Sequence, residues 1–444
     1  MKKITAYTLL FFICSWSTAQ EVPSQLSLNQ AIDWGMDFNR TLQRADLELQ
    51  KAHKEKWRTL AIGFPQINAN FQYQNFIEQP VSLIPAQFFG GEEGEFAEVV
   101  FGTQQTALGA VELTQLLFDG TYIVGVQGIR HYIENAESIL EKTQLEIRRA
   151  IVTAYINVLV AQENIRILKD NARVIGTNIT ETEQLYSNGL TEEENVEQLR
   201  LTKAQLTTQI NYATKAHLLT KNVLKLLLGI ALENEIALTD QLDALTVQHM
   251  LTDDPNATYN NNIDIRLAEQ NIITEKLLVK YEKAKGLPSI SAFINGAYAG
   301  NSDTFTFTDR DQKWFGSSAF GLQMRVPIFS SLGRTAGTQK AKLKLQQAET
   351  QLIETRSQVF VQWENAQNNF ALAKDNYNTA KESLKLAERI EAKNRTKFFE
   401  GLSGSFEPRQ AQMQLYQAQQ NVVQSMRQVI LDKTELTIIA NSVE

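Results

Sequence analysis

Four short stretches of the chain alternate apolar and polar side chains with a period of two. Such alternation predicts β-strands that have one apolar and one polar face. The second and third stretches include Val111–Thr114 and Ile290–Tyr298. The sequence therefore predicts two pairs of strands, one pair in each half of the chain. The apolar positions of the first and fourth stretches are Ile67, Ala69, Phe71 and Tyr73, and Phe320, Leu322, Met324 and Val326.

A long stretch with helical periodicity follows each pair of strands. Through Ile133–Tyr186, and again through Leu345–Ala387, apolar or small residues are spaced three and four apart, as in a heptad seam. Each seam has one extra gap of four residues, before Ile151 and before Trp363, which locally unwinds a supercoil. A helix of ~65 residues spans ~100 Å. A shorter returning helix is predicted after each long one.

The two halves of the chain repeat one another. Each contains a helix, an aromatic residue or leucine before proline, a strand, a loop, a second strand, a long helix and a Gly-Leu turn. Repetition of this kind indicates an internally duplicated architecture. Four strands are too few to close a barrel, and an open strand edge in lipid would leave backbone groups unpaired. If the strands span a membrane, several copies of the chain must therefore assemble, and their barrel must have a multiple of four strands.

The first residues have the features of a secretory signal peptide. Lys2-Lys3 precede an apolar run, Leu9–Ile13, and Ser17-Thr18-Ala19 supply small residues before a cleavage at Gln20. Cys14, the only cysteine, lies inside this segment without the small residues that precede a lipidated cysteine, so a lipoprotein is not favoured. The net charge of -7 and the lack of a basic block argue against nucleic acid as a partner.

Several short motifs resemble those of the TolC-like outer-membrane efflux proteins, over most of the chain after the signal peptide. Each motif is only weakly specific, but their order, spacing and duplication are distinctive. The motifs are the strand entries Phe64-Pro65 and Leu287-Pro288, the strand exits Gln115-Leu116-Leu117-Phe118-Asp119-Gly120 and Val326-Pro327-Ile328-Phe329, and the turns Tyr186-Ser187-Asn188-Gly189-Leu190-Thr191 and Phe399-Glu400-Gly401-Leu402-Ser403.

The resemblance implies a mixed, mostly α fold that assembles as a homotrimer. Three copies would form a 12-stranded β-barrel in the outer membrane of a Gram-negative bacterium, continued by a 12-helix α-barrel in the periplasm. The implied function is the exit duct of a tripartite efflux or type I secretion system, a passive conduit and not an enzyme, without a cofactor. The implied partners are outer-membrane lipid, a periplasmic adaptor (membrane fusion) protein and an inner-membrane pump.

The predicted organisation has eight segments, divided between a signal peptide and the two repeats. They are the signal peptide 1–19, the N-terminal helices 20–63, the first strand pair with an extracellular loop 64–118, the first long helical hairpin 119–230, an equatorial segment 231–262, the helix of the second repeat 263–286, the second strand pair with its loop 287–329, and the second long hairpin with the C-terminal end 330–444. The role of the loop residues 77–100 is left open.

Three groups of residues are candidates for function. The alternating apolar positions of the first and fourth strands are predicted to face lipid. The two turns are predicted to dock onto the adaptor, although a staple of each leucine against its own helix is an alternative. The resemblance also implies a pore constriction at Glu407 and Gln410, where one acid of the family pattern is replaced by an amide; a first-turn helix acid is the alternative for Glu407. The docking candidates are Asn188, Gly189, Leu190 and Thr191, and Glu400, Gly401, Leu402 and Ser403.

Two other classes of protein remain as alternatives. A soluble periplasmic coiled-coil spacer or adaptor would need the alternating strands to form a small soluble sheet against the helices. An exported hydrolase would need a site that no motif reveals. The four histidines lie apart on predicted helices or at their ends, without the pairing that a metal site needs. These are His53, His131, His217 and His249.

Overall fold

A computed structural model describes residues 23–251, 258–404 and 406–441. The predicted signal peptide and Cys14 lie outside these residues. The helices are α1 (Leu28–Phe38), α2 (Arg40–Ala61), α3 (Gly120–Ser187), α4 (Glu193–Leu228), α5 (Leu242–Leu251), α6 (Ile263–Ala284), α7 (Gly333–Phe399) and α8 (Phe406–Ala440). The strands are β1 (Gln25–Leu26), β2 (Gln66–Asn75), β3 (Val81–Pro85), β4 (Phe96–Val100), β5 (Gln105–Asp119), β6 (Ala237–Leu238), β7 (Ser289–Ser302) and β8 (Trp314–Arg325).

The chain divides into two compact units, each assembled from separated parts of the sequence. The unit that we call the helical unit comprises Met1–Gln43, Thr143–Tyr259 and Val361–Glu444. The second, the sheet unit, comprises Arg44–Lys142 and Asn260–Phe360. Both repeats contribute to both units, so the duplicated elements are not two separate domains. None of the helices in the described residues is long and apolar enough to cross a membrane.

The sheet unit contains an antiparallel four-stranded sheet in the order β2-β5-β7-β8. The two inner strands come from different repeats, and β2 and β8 are the edges. In one cross-strand row Ile67 pairs with Leu113, Leu113 with Ile294, and Ile294 with Phe320. Because paired residues point to the same side of a sheet, the predicted apolar positions of all four strands share one face. We call this the apolar face.

The apolar face is largely uncovered by the residues that the structure describes. Phe71 is 71% exposed and Phe320 is 87% exposed, and Ile67, Ile294 and Leu322 are exposed as well. Exposed apolar patches of this extent are rare on soluble monomers and mark a surface that meets lipid or another protein. The exposure of this face therefore does not support the alternative of a small soluble sheet packed against helices.

The predicted strand position of Val326 is wrong, because β8 ends at Arg325. Arg325 pairs with Ser289, the first residue of β7. One step further the partner would be Pro288, and Val326 is itself followed by Pro327. Proline has no N–H to donate to a strand ladder, so the pairing stops here. Val326 is exposed just beyond the strand.

Residues 77–100, whose role the sequence left open, include a small hairpin of their own. Strands β3 and β4 pair antiparallel, with Val81 opposite Val100 and Pro85 opposite Phe96. A short 3-10 helix, Ala86–Phe89, ends at Gly90, whose φ of 81° is the left-handed conformation that glycine adopts at low cost. The loop is thus folded.

The core of the helical unit lies around the middle of α3. Tyr155 and Ile156 of α3, Leu228 of α4 and Ile430 of α8 belong to one buried apolar cluster. The N-terminal α1 joins this cluster, and its first turn is held by a capping box in which Ser27 and Gln30 each accept a backbone N–H from the other.

The predicted seam of the second long helix is confirmed. Along α7, which contains no proline over its 67 residues, the seam positions are buried or half-buried, while most residues between them are exposed. A single buried stripe of this width is the pattern of a helix that packs on one side only. The buried members of the seam are Ala348, Val359, Trp363, Ala366, Phe370, Ala373, Tyr377 and Ala387.

Two tyrosine–aspartate hydrogen bonds attach the segment between α4 and α6 to the long helices. The hydroxyl of Tyr155 lies 2.9 Å from Asp240 Oδ2 and 2.9 Å from the backbone oxygen of Leu26. The hydroxyl of Tyr377 donates to Asp243 Oδ1 at 3.1 Å. Burial and the neighbouring carboxylate raise the pKa of Tyr377 to about 12. Burial and the Asp240 carboxylate raise the pKa of Tyr155 as well, so both phenols remain protonated at neutral pH.

Replacing Tyr155 by phenylalanine is expected to destabilise the helical unit by about 1.5 to 3 kcal/mol, the usual contribution of a hydrogen bond to a charged group. Its side chain is fully buried, and no other side chain of the described residues is recorded as a donor to Asp240 Oδ2. The thermal unfolding midpoint of the purified protein in detergent measures the effect. Tyr416→Phe is the control, since the structure records no hydrogen bond for the Tyr416 hydroxyl within the described residues. Equal midpoints for the two variants would contradict the expectation.

Candidate functional site: the apolar face and the two tips

The first tip (Asn188–Thr191) ends α3 in a tight reversal. Gly189 has a φ of 72°, its N–H donates to the carbonyl of Tyr186 at 2.9 Å, and the N–H of Leu190 donates to the carbonyl of Leu185 at 2.9 Å. This pair of hydrogen bonds is a Schellman motif, which requires a left-handed residue that is usually glycine. An ideal Cβ at Gly189 would meet no atom within 4 Å. The backbone conformation, not a lack of space, therefore selects glycine.

The second tip (Glu400–Ser403) repeats this geometry at the end of α7. Gly401 has a φ of 71°, its N–H donates to the carbonyl of Phe398 at 3.1 Å, and the N–H of Leu402 donates to the carbonyl of Lys397 at 2.8 Å. The two Gly-Leu turns, which the sequence predicts to be equivalent, therefore have the same two backbone hydrogen bonds. In each repeat the same motif presents a leucine directly after the left-handed glycine.

Both tip leucines project from the chain. Leu190 and Leu402 are each 72% exposed. A leucine stapled onto its own helix would be largely covered, so the exposure does not support the local staple. The other tip residues are polar or small, and Asn188 and Thr191 are held by side-chain hydrogen bonds, to the Gln184 carbonyl and from Asn195. Each tip is therefore a rigid polar turn with one exposed apolar side chain.

The two residues of the implied constriction lie in the first two turns of α8. Glu407 and Gln410 are three residues apart, so they share one side of the helix, and both are exposed. Glu407 is also next to Pro408, where a carboxylate is favoured by the helix dipole. The structure thus brings the two side chains together, and the alternative of an ordinary first-turn acid stays open.

An aromatic cluster that the sequence analysis missed lies beside the apolar face. The Tyr73 ring centroid is 5.8 Å from those of Phe305 and Phe307, and Phe307 is 6.2 Å from Trp314. Tyr73 and Trp314 lie in the same cross-strand row, through Ala107 and Gly300. Aromatic residues at the end of an apolar strand face form the interfacial girdle of membrane barrels. The alternation of Phe305 and Phe307 with threonines was the available signal.

Metal ligation finds no support in the part of the chain that the structure describes. Over residues 23–251, 258–404 and 406–441, no three or more His, Cys, Asp or Glu side chains are grouped so that they could hold a metal ion. Of the histidines, His131 pairs with Glu134 at 3.0 Å, and His249 Nδ1 lies 2.8 Å from the Leu245 carbonyl. Burial lowers the pKa of His217 and of His249.

Comparisons with known proteins find a family model and solved structures that are similar to this chain. Residues 255–442 match the family described as outer membrane efflux protein. The structure is similar to that of CusC, with 18% identity, a TM-score of 0.75, and 93% of this chain and 91% of that chain covered. No curated protein matches the chain.

Two further solved structures share the fold. VceC of Vibrio cholerae, an outer membrane protein, is 17% identical with a TM-score of 0.70, and 93% of this chain and 95% of that chain are covered. The CmeC outer membrane channel of Campylobacter jejuni is 16% identical with a TM-score of 0.70, and 93% of this chain and 85% of that chain are covered. The predicted resemblance to TolC-like outer membrane efflux proteins is thus confirmed, by the family match in the second half and by a fold shared over nearly the whole chain.

Proposed function

We propose that the protein is the outer-membrane exit duct of a tripartite efflux or type I secretion system. In this role it is a passive conduit for small molecules or polypeptides, and an inner-membrane pump supplies the energy. The observation that carries the proposal is the apolar face, which is continuous over four strands and uncovered. Lipid is the environment in which such a face is stable, and water inside a barrel suits the polar face of β2 with Asn68 and Asn70.

The two sheet edges support assembly from several copies. Strands β2 and β8 each have one neighbour within the described sheet, so each has a row of backbone groups without a strand partner. In lipid an unpaired row is prohibitive, and a closed barrel removes it. Pairing β8 of one copy with β2 of the next closes the barrel, and three copies of four strands give twelve. The helical hairpins would then continue the barrel in the periplasm.

Purified protein is expected to be a trimer that persists in mild detergent, because each copy leaves strand edges that only its neighbours can pair. Mass measurement of the solubilised particle, with the detergent contribution subtracted, tests this. Protein kept denatured in urea serves as the monomer standard. A particle that is monomeric or dimeric under native extraction would contradict the closed barrel.

Membrane fractionation distinguishes the duct from a soluble coiled-coil spacer. The duct is expected to sediment with outer membranes and to require detergent for extraction. A spacer would be released into the periplasmic fraction by osmotic shock, and washing with high salt or alkaline buffer would remove it from membranes. Retention after the alkaline wash favours the barrel, because only a peripheral protein is released by it.

The two tips support docking to a periplasmic adaptor. Each presents one exposed leucine on a rigid turn, and the motif is the same in both repeats. In a trimer this gives six leucines in one assembly, which is a repeated apolar pattern that helical hairpins of an adaptor can contact. The constriction at Glu407 and Gln410 would place three carboxylates and three amides around the axis near these tips.

A further inference from the structure

Glu112 lies midway along β5, on the polar face of the sheet. Its neighbours Val111 and Leu113 belong to the apolar face, so Glu112 points to the opposite side. The residues paired with it are Asn68 on β2 and Asn295 on β7. Its side chain is exposed. In the proposed barrel the polar face lines the lumen, so Glu112 faces water there.

Charged side chains are scarce in this sheet. The four strands β2, β5, β7 and β8 contain only Glu112, Asp119 and Arg325. All three lie on the polar face, but Asp119 and Arg325 belong to the terminal row, where each is paired with Ser289. An ionisable side chain within a membrane-spanning segment is costly, and such residues commonly mark the path of an ion or a solute. Glu112 is the one charged residue away from the end of these strands.

The charges of the terminal row do not neutralise Glu112. This row has one carboxylate and one guanidinium, and the Asp119 carboxylate accepts two backbone N–H groups at the start of α3, at 2.7 and 3.0 Å. Arg325 lies six residues beyond Ala319, the β8 residue in the row of Glu112. Six residues of a strand span about 20 Å, whereas the Debye length at 0.1 M salt is ~10 Å. Salt therefore screens Arg325 from Glu112.

Glu112 has no ion-pair partner among the residues that the structure describes. The contact recorded for its carboxylate comes from the Thr114 hydroxyl at 3.5 Å, which is long for a hydrogen bond. The adjacent Asn68 and Asn295 are neutral amides. A carboxylate on a water-filled wall attracts cations and repels anions in the solution near it.

We propose that the Glu112 side chains of three copies form a ring of carboxylates in the barrel lumen, which favours the passage of small cations over small anions. This inference rests on the proposed function, because the ring needs the closed trimeric barrel. Twelve strands about 4.8 Å apart, with a tilt of about 40°, give a wall radius of about 12 Å. The carboxylates project inward from this wall, within about one Debye length of the axis at 0.1 M salt. Rings of acidic side chains are a general basis of cation selectivity in pores.

The test measures the electrostatic potential beside Glu112 in the full-length protein, solubilised in a non-ionic detergent. A reporter cysteine replaces Ala319, which is small, exposed and in the same cross-strand row. The native Cys14 lies in the predicted signal peptide. A cationic and an anionic methanethiosulfonate reagent modify the reporter, and their rates are compared. At about 0.01 M salt, Glu112→Gln should lower the ratio of the cationic to the anionic rate about threefold, from Coulomb's law at ~10 Å.

Three controls accompany this comparison. Glu112→Asp keeps the charge and should keep the ratio of the parent reporter protein. Glu349→Gln, which removes an exposed acid from α7, should leave the ratio unchanged. At about 1 M salt, where the Debye length is ~3 Å, the difference between the parent and Glu112→Gln should disappear.

Equal ratios for the parent and Glu112→Gln at low salt would overturn the inference. So would a reporter cysteine that neither reagent modifies in the trimer, because the polar face would then not line water. If Glu112→Gln does not assemble, Glu112→Asn replaces it, and the same fall in the ratio is required. Mass measurement of each sample separates this test from that of the proposed function. A particle that is not a trimer contradicts the barrel itself, whereas a trimer with equal ratios contradicts only the role of Glu112.

Discussion

Replacing Phe71 by arginine is expected to block assembly of the protein in the outer membrane, whereas the same replacement at Asn70 should largely be tolerated. The two residues are adjacent in β2 and point to opposite faces of the sheet. Phe71 belongs to the apolar face, and Asn70 to the polar face. On a membrane barrel a cation at the bilayer midplane on the lipid side costs about 2 to 4 kcal/mol. Every copy in the particle incurs this cost, so a moderate effect per copy becomes large for the assembly.

The amount of folded protein in the outer-membrane fraction measures this effect. Leu322→Arg and Gln323→Arg repeat the comparison in β8, at the other edge of the sheet. The expected outcome is strong loss for Phe71→Arg and Leu322→Arg, with near-normal amounts for Asn70→Arg and Gln323→Arg. Equal effects on the two faces would mean that the apolar face does not meet lipid.

Replacing both tip leucines by aspartate is expected to abolish export while leaving a normally assembled particle in the outer membrane. Leu190 and Leu402 are mostly exposed and contribute little packing within their own chain. Their loss should therefore cost little stability. A charged side chain in an apolar contact must be desolvated without a partner, which weakens binding strongly. Crosslinking to the adaptor is expected to disappear together with export.

The control for this prediction is the double replacement of both leucines by methionine, which keeps an apolar side chain of similar volume. It should retain export and crosslinking. A double aspartate variant that fails to assemble would assign the leucines a structural role. If the variant assembles and exports normally, docking must use another surface.

The strand faces, the helical seams and the tips could be predicted because each depends on residues that are close in sequence. Ile67 and Phe71 lie on one face by the period of a strand alone, and Trp363 and Phe370 lie on one stripe by the period of a helix. The Schellman turns follow from glycine, which adopts the left-handed conformation at little cost. The prediction for Val326 was wrong because its partner on the neighbouring strand would be Pro288, which has no N–H to donate. The alternation of residues around Val326 does not reveal that partner.

The tertiary structure decided the features that depend on distant parts of the chain. Only long-range pairing sets the strand order β2-β5-β7-β8, which brings the inner strands of the two repeats together and leaves β2 and β8 as edges. The aromatic cluster likewise joins Tyr73 of β2 to Phe307, which follows β7 in the second repeat. Periodicity along the chain thus determines which side of each element is apolar, while contacts between elements determine what that side meets.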